Sequence, residues 1–434
     1  MINLEELLDN PSHFQDELKS ELPFLFPNND MAKAQWNLKL LQFQANNQNL
    51  INRMNKELRQ VDILKQTKVR LESLVEAYQN RENEIKSLFE ELNFKSVKSE
   101  KLTQLLSNRI PSRQHVESYY LNIFRDWAWG ETENAHYNKI CEKADLEAGN
   151  VLVMGGGAGR LAYDLCQIFD HWNVVQLDIN PLLSLIGKKM ADGEKLSLTE
   201  IAVEPLSSGL LSEIRELQGL GHVPGERLRY VLGDASNPPF KAGAFDGLVT
   251  PWLIDIIPEP FDSFSRRCNQ FLKDGAEWIN FGPLSFEKQS IGDQFTSDEV
   301  LEQLKHAGFE LVNSGWEEVP YLNSPIRAQM RKEKIFWFHA KKIKACKQPS
   351  RYHFYPDWFE DPEVKVPLAT TNIETLFAQK NLEANILGSL AQGKSISELI
   401  KTLTVQANMS VDEAESLIIG NINRLIEEGE IVSK

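Results

Sequence analysis

The stretch VLVMGGGAGR, residues 151–160, ends an apolar run in Gly155, Gly157 and Gly159 and then meets a charged Arg160. Glycines at that spacing let a backbone pass close to a ligand where a Cβ would collide. A helix that begins there turns its free amides toward the same ligand. A dinucleotide fingerprint, GxGxxG, needs a glycine at position 160, and this chain has Arg160. Three acids follow at the ends of apolar runs. Asp178 closes NVVQLD, 19 residues after Gly159. A carboxylate there can accept hydrogen bonds from both hydroxyls of a ribose. Asp234 in VLGDAS can accept from an adenine amino group. Asp255 stands in LIDIIP, an apolar setting in which an acid needs a partner.

The GxGxG spacing with these acids, in chain order, suits S-adenosylmethionine (AdoMet) rather than a nicotinamide dinucleotide. Ile179 and Ala235, next to the two acids, complete the expected cofactor contacts at those strand ends. Thr250-Pro251-Trp252 closes the following run, AFDGLVTPW. Pro251 is therefore expected beside the reacting sulfonium. AdoMet is already activated, so the protein need only orient a neutral nucleophile and take one proton. Asp255 is the candidate for orienting an acceptor N–H, and Glu287 is the second candidate for the catalytic pair. The eight histidines lie scattered without ligand spacing, so no metal is expected.

These positions need a sheet to hold them. From Gly149 the chain alternates short β-rich runs with helix-length segments: NVLVM, NVVQLD, RYVL, AFDGLVTP and AEWINFG. That is the pattern of an α/β doubly wound fold with a parallel sheet. GFELVNSGWEEVPY and EKIFWFHAKK have no helix between them and predict an antiparallel pair at the sheet edge. The expected domains are a helical N-terminal region over 1–110, a binding domain over 111–345, a linker over 346–380 and a small module over 381–434. Residues 32–106 lack Pro and Gly and carry apolar residues at helical spacing, which predicts a helical hairpin packed on the next domain. The last module reads as three helices and a terminal strand, a winged-helix-like pattern that also loosely resembles PqqD-like peptide carriers. A packing or homodimer role for either terminal region stands beside that reading.

Composition narrows the partners. The chain has 434 residues, 42% apolar and 25% charged, with a formal charge of −15. An acidic chain disfavours nucleic acid, because phosphate binding needs a basic face. From position 382 on, Lys394, Lys401, Arg424 and Lys434 face eight acids, which disfavours DNA for the winged-helix-like module as well. The start, MINLEELLDN, has no signal-peptide pattern, and no run of 18 apolar residues predicts a membrane span. Four dispersed cysteines suit reduced thiols in a cytoplasmic protein.

Five segments then make a more specific match. RDW at 125–127, VLVMGGGAGRLAYDL at 151–165, GD at 233–234, WLID at 252–255 and INFGPL at 279–284 resemble the carnosine N-methyltransferase family. The resemblance covers about 115–342. It implies a class I methyltransferase, with its Rossmann-like seven-stranded sheet, that moves the AdoMet methyl to an imidazole nitrogen of a small histidine-containing molecule or peptide. The family's cofactor arginine falls on Arg125, its glutamine three residues earlier is Asn122, and its strand-tip acid is Asp178. Its substrate aspartate falls on Asp255. Where the family has a histidine after GPL, this chain has Glu287 nearby. Where the family has tyrosines before the last strand, it has Met330, Arg331 and Lys332, with Tyr321 the nearest aromatic substitute. Two alternatives remain open: the same fold with a different peptide or small-molecule acceptor, and a non-catalytic peptide-binding protein on a vestigial methyltransferase fold.

Overall fold

The computed structural model describes residues 4–8, 29–92, 115–143, 149–221, 223, 227–236, 238–257, 259–286, 291–346, 363, 365, 382–407 and 410–427. They divide into two compact units, Met1–Cys346 and Lys347–Lys434.

In the first unit a helical turn α1 (Leu4–Leu7) precedes two long helices, α2 (Asn29–Glu57) and α3 (Lys65–Glu91). Short α4 (Tyr120–Phe124) runs into a π-helical turn, Arg125–Trp129, and then α5 (Glu131–Cys141). The sheet follows: β1 (Gly149–Met154), α6 (Arg160–Ile168), β2 (Trp172–Asp178), α7 (Pro181–Ala191), β3 (Lys195–Ile201), β4 (Ser212–Gln218), β5 (Leu228–Leu232), β6 (Phe245–Pro251), α8 (Phe261–Phe271), β7 (Leu272–Gly282), α9 (Ser297–His306), β8 (Phe309–Pro320) and β9 (Lys332–Lys342).

Seven strands form one sheet in the order β5-β2-β1-β6-β7-β9-β8. β5, β2, β1, β6 and β7 are parallel, and β9 runs antiparallel between β7 and β8. This is the class I methyltransferase sheet. The order reverses between β1 and β2 on one side and β6 on the other, and that switch point opens a crevice at the carboxyl ends. Both faces are covered, so the central strands are apolar on both sides. Val151 and Val153 of β1 enter one core, with Leu161, Leu165 and Ile186. Leu152 and Met154 enter the other, with Phe261, Phe264 and Trp278.

The antiparallel pair β8–β9 was expected at the sheet edge. The pair lies there, with β9 against β7 and β8 outermost. The β3–β4 hairpin between α7 and β5 was not anticipated. It forms its own two-stranded sheet, pairing Lys195 with Gln218 through to Ile201 with Ser212. Its sequence signal is partial: KLSLTEI alternates at Leu196 and Leu198, whereas in SEIRELQ, beyond a loop containing Pro205 and Gly209, the apolar Ile214 and Leu217 stand three apart.

Helices α2 and α3 pack on one another around Ile51, Met54 and Leu71. Ile85, Leu88 and Phe89 of α3 join the core on the β1 Val151 face. Glu84 accepts from Thr199 N and Oγ1, at 2.8 and 2.6 Å, which ties α3 to the hairpin. Among the described residues no helix is long and apolar enough to cross a membrane.

The second unit has α10 (Leu382–Ala391), α11 (Ile396–Ala407) and α12 (Val411–Glu427) around its own core of Ile386, Leu387, Leu390, Leu399, Ile418 and Ile422. Most of the expected linker, and the strand expected after α12, lie outside the described residues.

Candidate functional site

The glycine loop forms as its sequence demands. Gly155 N donates to Leu177 O at 2.8 Å, extending the β1–β2 ladder by one residue before the chain turns away. Gly157 sits at φ +57° with open space where a Cβ would be, and Gly159 at φ +90° lies 2.9 Å, from its would-be Cβ, to the Gly187 Cα of α7. Only glycine takes the left-handed region without strain, and only glycine lets α7 approach this closely. Gly159 is also the N-cap of α6, so the first amides of that helix open at the loop.

Asp178 locks the loop from the next strand. Its Oδ2 accepts from Gly157 N at 2.8 Å and its Oδ1 from Asn180 N at 2.8 Å. Burial pushes its carboxyl up to about 6, against three backbone amides that pull it down. Each oxygen retains a second lone pair, so the acid can still accept from two ribose hydroxyls. Ile179 is half-buried beside it. Asn180 caps α7 by accepting from Leu182 N at 3.0 Å and donates to Ser118 O at 3.3 Å.

Asp234 lies two residues beyond the end of β5 rather than at it. Its Oδ1 accepts from Ser236 N at 2.8 Å, an Asx-type turn that fixes the acid at the sheet's carboxyl edge. Ala235 is partly buried against Leu152 and its neighbours. Pro251 is the last residue of β6.

The RDW segment and the glycine loop turn out to be two sides of one contact. Trp127 Nε1 donates to Ala158 O at 2.8 Å. Arg160 donates to Asp126 O at 2.9 Å, to Asp164 Oδ1 at 2.7 Å and to Glu131 Oε1 at 2.8 Å. Arg160 therefore fastens the first turn of α6 to the π turn instead of facing the ligand.

Arg125, its side chain 11% exposed, does pair with Asp126, through Nε at 2.7 Å, and with Glu133, through Nη1 at 3.2 Å. Burial opposes its charge, but Asp126, Tyr137 and Glu133 outweigh it and hold the guanidinium above its usual pKa. Among the described residues Nη2 has no protein partner, which leaves a donor for a ligand carboxylate. Asn122 Oδ1, one turn earlier, is buried and meets no donor among the described residues.

At the ends of β6, β7 and β8 the chain departs from ordinary backbone. Trp252 (φ +50°), Phe286 (φ +44°) and Leu322 (φ +49°) are left-handed without being glycine. Such residues cost about 1–3 kcal/mol each and collect at ligand sites. Trp252 stacks on Tyr321 with ring centres 4.4 Å apart and meets Tyr137 edge-on at 6.2 Å. Tyr137 in turn stacks on Phe281 at 5.0 Å. Arg331 lies over Tyr321 at 4.9 Å. Tyr321, the nearest aromatic substitute in the sequence, thus joins an aromatic cluster drawn from four different elements. Sequence reading assigned no role to Tyr137, which carries no motif, or to Phe281 within INFGPL, and the two meet only when α5 packs on β7. Trp252 Nε1 is buried with no acceptor among the described residues.

Asp255, 2% exposed, is in the turn after β6. Its Oδ2 accepts from Ser285 Oγ at 2.7 Å and from Ser285 N at 3.2 Å, joining that turn to the segment after β7. Glu287 lies outside the described residues.

These features fit AdoMet. Open space at Gly157, an acid at the tip of β2, the spare donor of Arg125 and the orphaned Asn122 Oδ1 surround the switch point. They supply acceptors for hydroxyls and an ammonium group, and a cation for a carboxylate.

No family model matches the chain. Carnosine N-methyltransferases of Rattus norvegicus and Mus musculus are each 23% identical to it over 223 residues, 45% of this chain and 54% of theirs. The chain thus spans about half the length of these curated relatives. Among solved structures, SAM-dependent methyltransferases from Methanosarcina mazei and Aquifex aeolicus overlay at TM-scores of 0.35 and 0.31. They are 16% and 13% identical and cover 47% and 57% of this chain, and 97% and 100% of their own. The chain is weakly related to the carnosine N-methyltransferases, over less than half its length.

Proposed function

We propose that the first unit is an AdoMet-dependent N-methyltransferase whose acceptor is an imidazole nitrogen of a histidine-containing small molecule or peptide. The observation that carries the cofactor is Asp178, a buried acid tied to the Gly157 amide at 2.8 Å at the switch point of a class I methyltransferase sheet. The weak relationship to carnosine N-methyltransferases supports the acceptor class.

Bound AdoMet supplies an electrophilic methyl on a sulfonium. The chain's residues do the rest. Gly155, Gly157 and Gly159 admit the methionine part, Asp178 accepts from the ribose hydroxyls and Asp234 from the adenine amino group. Arg125 holds the carboxylate, and Asn122 accepts from the ammonium. Trp252 and Tyr321 give a flat face for an imidazole ring. Asp255, held by Ser285, accepts the acceptor's N–H. This fixes the tautomer so that the other nitrogen's lone pair attacks the methyl carbon. Asp255 would take up the N–H proton that the imidazole gives up on gaining the methyl, with the sulfonium leaving as a neutral thioether.

Labelled AdoMet offered with histidine dipeptides, histidine derivatives and unrelated short peptides, read by mass spectrometry, tests the proposal. Transfer to an imidazole nitrogen is expected. Transfer only to amines or carboxylates would keep the enzyme and discard this acceptor, and no AdoMet binding by calorimetry would discard the enzyme. With the working acceptor, Asp255→Ala is expected to leave AdoMet affinity within about threefold while transfer falls about 100-fold or more.

A further inference from the structure

The segment between β8 and β9, residues 321–331, is held to the π turn through two buried acids. Glu133, 2% exposed, accepts from Arg125 Nη1 at 3.2 Å and Tyr137 Oη at 2.7 Å on one oxygen, and from Leu322 N at 2.9 Å on the other. Glu200, fully buried on β3, accepts from Trp129 Nε1 at 3.3 Å, from Arg215 Nε at 2.7 Å and from Ser324 Oγ. Arg125 and Trp129 are the two ends of the π turn. The loop of the β3–β4 hairpin adds backbone bonds, from Leu206 N to Ile326 O at 3.2 Å and from Ala328 N to Glu204 O at 2.7 Å. The hairpin thus braces one side of the 321–331 segment, and Glu133 braces the end that carries Tyr321.

The slack in this network is at the cofactor side. A charge-assisted N–H···O bond is ordinarily about 2.7–2.9 Å long. The Arg125–Glu133 bond, at 3.2 Å, is the longest that Glu133 makes, and Arg125 is the residue with a spare donor. The neighbour that Glu133 holds on its other oxygen, Leu322, is strained at φ +49°. A shift of the guanidinium therefore reaches Leu322, and with it Tyr321, through one carboxyl group.

We infer that Glu133 is a positioning residue that couples occupation of Arg125 by the cofactor carboxylate to the placement of the Tyr321–Trp252 wall, so that the acceptor side is set after the cofactor binds. The inference rests on the AdoMet reading above. Hydrogen exchange at the Leu322 amide, with and without S-adenosylhomocysteine, reports the coupling directly, and calorimetry on the same sample reports binding. In the wild type, Leu322 exchange is expected to slow about fivefold or more on binding, the size of an ordinary coupling. Glu133→Gln is expected to lose that slowing at saturating ligand. Trp129→Phe, which removes a donor to Glu200 at the other end of the π turn and leaves the contacts among Arg125, Glu133 and Leu322 in place, is expected to keep it. Binding without any change at Leu322 in the wild type overturns the inference and leaves the cofactor reading standing, and so does slowing that persists in Glu133→Gln or is lost in Trp129→Phe. Absence of binding in the wild type overturns the cofactor reading itself. If Glu133→Gln does not fold, the wild type and Trp129→Phe still decide.

Discussion

Asp178 shows how much one side chain carries. Its carboxyl group both closes the glycine loop and faces the proposed ribose site, so replacement by Asn removes an acceptor from each job. Hydrogen bonds to a charged group are worth about 1.5–3 kcal/mol, so Asp178→Asn is expected to weaken AdoMet binding by about ten- to 100-fold, read by calorimetry. Its raised pKa sets a pH dependence. Ribose hydroxyls donate best to the ionised acid, so affinity is expected to fall as pH drops through about 6. The contribution to folding runs the other way. Between about 6 and the usual 3.8 the folded protein holds a proton that the unfolded chain has released. This group therefore stabilises the fold as pH falls through that window, and opposes it above. An affinity flat from pH 8 to pH 5 would remove Asp178 from the ribose. The motif position of Asp178 was legible because strand-tip acids follow a fixed sequence interval. Its bond to Gly157 was not, because loop closure depends on how β1 and β2 register.

At the scale of elements, the RDW turn and the start of α6 act as one clamp. Sequence inspection read Arg125 and Arg160 as separate signals, one for the cofactor and one against a dinucleotide. The fold assigns Arg160 a further task, bridging Asp126 O, Asp164 and Glu131 across two elements 34 residues apart. Arg160→Met leaves Asp164 buried with its guanidinium gone. Breaking a buried pair costs about 3–5 kcal/mol, so a large drop in thermal midpoint is expected, accompanied by weaker AdoMet binding because the loop loses its anchor. A midpoint within about 2 °C of wild type would show that Trp127 alone holds the clamp. Trp127→Phe, which removes the indole N–H to Ala158 O together with buried ring volume beneath Arg160, is expected to cost about 2 kcal/mol or more. The β3–β4 hairpin also belongs to this scale. Its alternation was present in KLSLTEI, but nothing local says that an acid in it, Glu200, would be fully buried between Arg215, Trp129 and Ser324.

At the scale of the molecule, the two units each bury their own core. The first unit encloses both faces of its sheet, and the second has a separate cluster around Ile386 and Ile418. A chain ending at Cys346 is therefore expected to fold and to bind AdoMet with affinity within about threefold of the full chain, measured by calorimetry. Loss of binding would give the second unit a part in the site. Helices α2 and α3 are a different case, because Ile85, Leu88 and Phe89 are built into the sheet's own core. Their removal would expose a continuous apolar surface, and insoluble protein is the expected outcome.

The sequence by itself determined the loop, the strand-tip acids, the α/β class and the family resemblance. Each of these depends on local spacing: glycine backbone freedom, a two- or 3.6-residue period, and an acid at the end of an apolar run. Tertiary structure alone decided which side chains meet. Tyr137, Trp252, Phe281 and Tyr321 come from α5, the turn after β6, β7 and the segment after β8, and no periodicity links them. Only the insertion of β9 beside β7, with β8 outside it, brings the ends of β6, β7 and β8 to one edge, where burial makes Glu133 and Glu200 hold the wall in place.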